Sequence, residues 1–202
     1  MHSLIVVSHP NRASLTHAAG NEVADAIRAT DSGNSAEIAD LSAEGFDPRF
    51  SVSDIETINR IAAPPASILA EQARIDRADA LVLVYPVYWW SMPALLKGWI
   101  DRVFSTGWAY DERPDGKLEK KLGRLGVHLI AIGAADAGTY AKHGYSSAMK
   151  TQIDHGIFDY CGARVLSSQL LTVSSAADAP NALAAARRIG ERIGNPALRD
   201  AA

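Results

Sequence analysis

Three short stretches hold most of the side chains able to do chemistry. The first runs Ser8, His9, Pro10, Asn11, Arg12, Ala13, Ser14, Leu15, Thr16. Backbone N–H groups at a helix start, with the Ser14 and Thr16 hydroxyls, form a cradle for phosphate. The alternative is that Ser14 is only a helix cap and that His9 and Arg12 face solvent. The second runs Tyr85, Pro86, Val87, Tyr88, Trp89, Trp90, Ser91, Met92, Pro93. Large aromatics in a loop stiffened by two prolines supply a flat apolar wall for a planar ligand, or a protein interface. The alternative is that they fold back onto the core. The third, residues 133–145, carries Gly133, Ala134, Asp136, Tyr140, His143 and Tyr145. Small residues let backbone approach a ligand closely, and Tyr140, His143 and Tyr145 offer proton donors, or simply pack. Gly133 and Gly138 have the spacing of a P-loop, but the lysine that should follow is missing.

The elements that must hold these stretches follow from periodicity. Apolar runs at 4–7, 37–41, 80–85, 125–132 and 164–173 read as five strands. The first and third are almost wholly apolar, as parallel strands buried on both faces should be. Helical patterns occupy 14–29, 65–77, 93–104, 146–160 and 179–193, with Ser14 as an N-cap, Pro65 and Pro93 in first turns and Gly162 as a stop. Right-handed strand–helix–strand crossovers then build a doubly wound parallel sheet, and five strands favour the flavodoxin-like order 2-1-3-4-5. Ligands in such sheets sit beyond the carboxyl ends of the strands, which is where all three stretches fall. Residues 43–63 are irregular with a possible helix at 53–61, and 111–121 read as an exposed polar excursion. With no repeat and no dividing linker, residues 1–202 are expected to form one domain.

Composition narrows the function classes. The formal net charge of -3 lacks the basic field that nucleic acid or an anionic membrane surface attracts. Cys161 is the one cysteine, so no intramolecular disulfide and no cysteine-based zinc site is expected; it reads as a buried small hydrophobe. There is no signal-like N-terminus and no apolar run long enough to span a bilayer, so a soluble, cytoplasmic protein is expected. His2, His17, His128 and His155 carry less weight than His9 and His143. No His-x-x-x-His pair, paired-carboxylate helix or Gly-x-Ser-x-Gly elbow occurs, so neither a metal site nor serine-esterase chemistry is expected.

Residues 86–104, reading Pro-Val-Tyr-Trp-Trp-Ser-Met-Pro-Ala-Leu-Leu-Lys-Gly-Trp-Ile-Asp-Arg-Val-Phe, resemble the signature of the NAD(P)H:quinone oxidoreductases, the DT-diaphorase-like flavoenzymes. His9 with Ser14, Leu15 and Thr16, the lead-in at 73–79 and residues 160–170 agree, so the resemblance covers about 4–174. It implies a flavin, FAD or FMN, with its phosphate on His9, Ser14, Leu15 and Thr16 and its ring along Pro86, Val87, Tyr88, Trp89 and Trp90. Ala131, Ile132, Gly133 and Ala134 stand where family members commonly have Thr-Thr-Gly-Gly, which loses hydroxyl contacts and keeps backbone donors. Tyr140 resembles the family tyrosine near the ring. A family histidine follows that tyrosine by six positions, whereas His143 follows by three, so Tyr145 is the alternative proton donor. The implied activity is hydride transfer from NAD(P)H through flavin to quinones in a ping-pong cycle. The implied assembly is a homodimer, with which exposed Trp89, Trp90 and Trp108 are compatible. Azo, nitro or chromate reduction, a flavin-binding regulatory subunit of a transporter, and a flavodoxin-like one-electron carrier are the other readings.

Overall fold

A computed structural model describes residues 1–195; the end of the expected domain, 196–202, lies outside the described residues. In chain order the elements are β1 (His2–Val7), α1 (Leu15–Thr30), β2 (Ser35–Asp40), α2 (Val52–Ile58), α3 (Ala66–Asp76), β3 (Ala80–Pro86) and α4 (Ala94–Val103). A hairpin of β4 (Tyr110–Glu112) and β5 (Leu118–Lys120) follows, then β6 (Gly126–Gly133), α5 (Ala137–Lys142) and α6 (Tyr145–Met149). A π-helix (Lys150–Asp159), β7 (Arg164–Thr172), a 3₁₀ turn (Ala176–Asp178) and α7 (Ala179–Gly194) complete it. The main sheet has the order β2-β1-β3-β6-β7, all parallel. Counted by its own five strands, that is 2-1-3-4-5.

The strands alternate at period two between two buried layers. Leu4, Val6, Leu81, Leu83, Tyr85 and Leu129 pack in one cluster with Ile68, Trp99 and Phe158. Ile5, Val7, Val82, Val84 and Ile130 pack on the other face with Val23, Ile27, Ile189 and Ile193. Each such side chain contributes about 1.5–3 kcal/mol by leaving water. Trp99 is fully buried, and its indole N–H donates to Glu71 Oε2 at 2.8 Å. Beside it Gly98 lies so close to Pro48 that a Cβ would collide with the Pro48 backbone, which seats residues 43–51 against α4.

Three expectations need correction. The helix expected at 146–160 is α-helical only to Met149 and then a π-helix. Its buried residues, Met149, Ile153 and Phe158, recur at spacings of four and five rather than three and four, which suits the wider turn. The third loop is not all loop, because Asp136 caps α5 by accepting from the Thr139 N–H. Of the three tryptophans expected to be exposed, only Trp89 is, at 93%. Trp90 and Trp108 are half-buried against the core, and the Trp108 indole N–H donates to Asp76 at 3.2 Å. Cys161 is buried, and that burial pushes its thiol up to about 11.

Candidate active site

Backbone hydrogen bonds carry the sheet past its strand ends and set the three loops side by side. Ser8 N–H donates to Val84 O at 3.2 Å, Val87 N–H to Ile132 O at 2.8 Å, and Val173 N–H to Gly133 O at 2.8 Å. The second loop is a two-residue hairpin: Tyr88 N–H donates to Ser91 O at 3.0 Å, and Ser91 N–H to Tyr88 O at 3.1 Å. Its central residues, Trp89 at φ 49° and Trp90 at φ 62°, both occupy the left-handed region that such a turn requires. Non-glycine residues there cost about 1–2 kcal/mol each. Packing holds Trp90 in place, since its ring stacks on Tyr145 and meets Tyr140 edge-on, with centroids 5.3 Å apart. Pro86 and Val87 are half-buried and Tyr88 is exposed.

The third loop supplies the other side of this cluster. Tyr140 is 2% exposed and its phenol lies directly on the Gly133 backbone, where any Cβ would collide with its hydroxyl. Burial pushes the Tyr140 phenol up, so it keeps its proton at neutral pH. Gly144, at φ 71°, turns the chain back and returns Tyr145 to the cluster. His143 is exposed and stacks on Tyr145 with centroids 5.3 Å apart. Tyr140, His143 and Tyr145 are thus brought together around Trp90, with Ile132 half-buried and Ala134 exposed at the rim. Beneath them a cavity of about 200 Å³ is lined by Tyr85, Ala131, Met149, Lys150, Asp154 and Leu170. Burial pushes the Asp154 carboxyl up, against a hydrogen bond from Ser168 and the charge of Lys150. The fully buried Tyr85 is pushed up by burial and by the Asp154 charge.

The first loop forms a second group. Ser14 caps α1, its Oγ accepting from the His17 backbone N–H at 3.3 Å. The Leu15 and Thr16 N–H groups have no acceptor among the described residues, as expected of a first helical turn. Thr16 is 3% exposed and its hydroxyl is also without a partner among the described residues. His9 is half-buried, with its ring edge-on to His17 at 6.3 Å. His17, given little weight from sequence, and Asp40, not singled out there, join this group, with Nε2 to Oδ2 at 3.0 Å. The available signal was parallel pairing, because Val7 and Asp40 are in register and the end of β2 therefore faces the start of α1.

The family model for the flavodoxin-like fold matches residues 1–193. The chain belongs to that family. A ribosyldihydronicotinamide dehydrogenase [quinone] of Pongo abelii is 30% identical over 189 residues, covering 83% of this chain and 79% of its own. An NAD(P)H:quinone oxidoreductase from Methanothermobacter marburgensis superposes with a TM-score of 0.86 at 23% identity, covering 96% of this chain and 98% of that one. An FMN-dependent NADH-azoreductase from Bacillus anthracis in complex with FMN superposes at 0.74 with 13% identity, covering 96% and 100%. The last two establish the shared fold. In this flavodoxin-like chain the donor set fits a flavin: unpartnered N–H and hydroxyl groups for phosphate at α1, and an aromatic wall for a planar ring at the hairpin.

Proposed function

We propose that this chain is a flavin-dependent NAD(P)H oxidoreductase that reduces quinones, working as a single-domain subunit of a cytoplasmic homodimer. The observation that carries the reading is the aromatic cluster of Trp90, Tyr140 and Tyr145 on the same sheet edge as the phosphate-type donors of α1. The quinone-reductase activity named for the Pongo abelii relative supports the acceptor class. Trp89, with Phe50, Val52, Ile55 and Ile61, is exposed on this chain, and a partner subunit covering such apolar side chains supports a dimer. Reduced nicotinamides are cytoplasmic metabolites, which supports the compartment.

A bound flavin would supply the hydride chemistry, taking two electrons from nicotinamide and returning them to the acceptor. The chain binds, orients and shields. Leu15 and Thr16 N–H and the Thr16 hydroxyl hold the phosphate end. Pro86, Val87, Tyr88, Trp89 and Trp90 run along the ring, and the backbone of Ile132, Gly133 and Ala134 closes its edge. Tyr140 keeps its proton at neutral pH and holds it on the Gly133 side of the pocket, while His143 and Tyr145 stand at the mouth. Nicotinamide and quinone take the same open face in turn, which makes the cycle ping-pong.

The test is the visible spectrum of the purified protein, first with anaerobic NADH or NADPH and then with menadione. A yellow protein that bleaches and then recovers its colour is expected, and chromatography of the released cofactor names FMN or FAD. Parallel rates with an azo dye rank the acceptors. A protein that stays colourless and binds neither added flavin overturns the reading.

A further inference from the structure

We infer that His17 and Asp40 position Ser14 for the phosphate, and that binding this phosphate draws one proton onto His17. The inference rests on the proposed flavin reading. His17 Nε2 lies 3.0 Å from Asp40 Oδ2, and His17 Nδ1 lies 3.0 Å from Ser14 Oγ. An ionised carboxylate can only accept, so Nε2 carries a proton. In the neutral ring Nδ1 is then an acceptor, and the proton facing it is that of the Ser14 hydroxyl. Ser14 Oγ meanwhile accepts from the His17 backbone N–H. The hydroxyl has therefore committed its proton inward and presents only lone pairs to an incoming anion.

A second proton on His17 reverses this arrangement. Nδ1–H now donates to Ser14 Oγ, and the hydroxyl proton turns outward toward a phosphate oxygen. There it joins the Leu15 and Thr16 N–H groups and the unpartnered Thr16 hydroxyl. The balance is simple: one phosphate is bound, one proton is taken from solvent, and no covalent bond changes. The charged and titratable groups facing His17 are Asp40, Arg12 and His9. Asp40 has a side chain 17% exposed and is the counter-ion of the imidazolium. Burial pushes its carboxyl up, and the Ala43 N–H, the His17 ring and the Arg12 guanidinium outweigh that, holding it below the usual carboxylate range. Arg12, 3.7 Å from Asp40 Oδ2 and mostly exposed, competes weakly for the same oxygen. The His9 ring stands edge-on at 6.3 Å.

Calorimetric titration of FMN, FAD and riboflavin into the apoprotein tests this in buffers of different ionisation enthalpy, between about pH 7 and pH 8.5. In that window a phosphate monoester, with its second pKa near about 6, has already lost its proton, so uptake reports the protein. The expected result is net proton uptake with the phosphate-bearing flavin that binds and none with riboflavin. Affinity should weaken by up to about tenfold per pH unit, the limit for one linked proton. His17→Gln should flatten that slope and abolish the uptake, and Asp40→Asn should reduce it. Nitrogen NMR should find His17 as the Nε2–H tautomer in the apoprotein and as imidazolium in the complex. FMN or FAD binding without proton uptake in the wild-type protein overturns the inference and leaves the flavin reading standing. Failure of all three flavins to bind overturns the flavin reading, and the inference with it.

Discussion

Tyr145 lies flat on Trp90, with ring centroids 3.8 Å apart and planes 12° from parallel. Since Trp90 also meets the buried Tyr140 edge-on, two candidate proton donors are held by one strained tryptophan. Tyr140→Phe keeps the ring that fills the space over Gly133 and deletes the hydroxyl. Turnover should fall about a hundredfold, the lower range for loss of a positioned proton donor, with bound flavin unchanged. His143→Gln should cost less, because His143 stands in solvent and reaches the cluster only through Tyr145. Single-turnover rates with flavin content measured alongside decide the order; equal losses at the two positions would remove Tyr140 from its assigned role.

The hairpin predicts an inverse relation between stability and activity. Trp89 is 93% exposed at φ 49°, so its side chain contributes little packing while its backbone is strained. Trp89→Gly relieves that strain and loses some chain entropy, for a net gain of about 1 kcal/mol. In a chain of this size that is a Tm rise of about 2–4 °C. The same variant removes an aromatic from the proposed ring wall, so KM for the quinone should rise. The stability gain belongs to the isolated subunit; a lowered Tm would show that Trp89 packs against the partner subunit of the proposed dimer.

Gly98 permits no side chain, because Pro48 fills the space where a Cβ would go. Gly98→Ala should destabilise the fold by about 2–3 kcal/mol through overpacking, read as a lower denaturant midpoint at unchanged m-value. Gly116, also glycine but with open space around it, is the contrast. An alanine there meets only the strain of φ 76°.

Acid stability should depend on Asp54. Burial pushes its carboxyl up, but the Ser51 hydroxyl and N–H and the Arg102 guanidinium, 3.0 Å away, together hold it below the usual carboxylate range. A folded-state value below the unfolded one stabilises the protein above the ordinary carboxylate pKa, and that stability is lost as pH falls through the lowered value. Asp54→Asn leaves the half-buried Arg102 without its main counter-charge, so stability at neutral pH should fall by about 2 kcal/mol. The difference from wild type should shrink below about pH 3.8. Denaturation curves at neutral and acid pH measure both, and an undiminished gap in acid would remove Asp54 from the acid transition.

Much of this architecture is legible from residue order, for identifiable reasons. Leu4 to Val7 and Ala80 to Val84 are apolar on both faces because helices cover both sides of the sheet, so these strands could be read directly, while the order followed from five strands joined by right-handed crossovers. The three loops followed from the order. The π-helix was misread because Met149, Ile153 and Phe158 depart from ordinary helical spacing by one residue, which is easily absorbed into an α pattern. His17 was underweighted and Asp40 overlooked for a different reason. They lie 23 residues apart, on different elements, and only the pairing of β1 with β2 brings them within hydrogen-bond distance. Asp154 gave no signal at all, since its environment comes from β7 and the π-helix together.

Helix α7 presses Gly190 so closely on α1 that a Cβ would come within 2.6 Å of the Val23 carbonyl oxygen, and the Gly194 carbonyl accepts from Asn34. During synthesis α1 therefore leaves the ribosome early and waits for its cover. At about 5–20 residues per second the wait is on the order of ten seconds. Until then Val23 and Ile27 have the sheet strands to pack on but lack the cover that Ile189 and Ile193 of α7 supply. The seam between α1 and α7 therefore closes only when the chain is nearly complete.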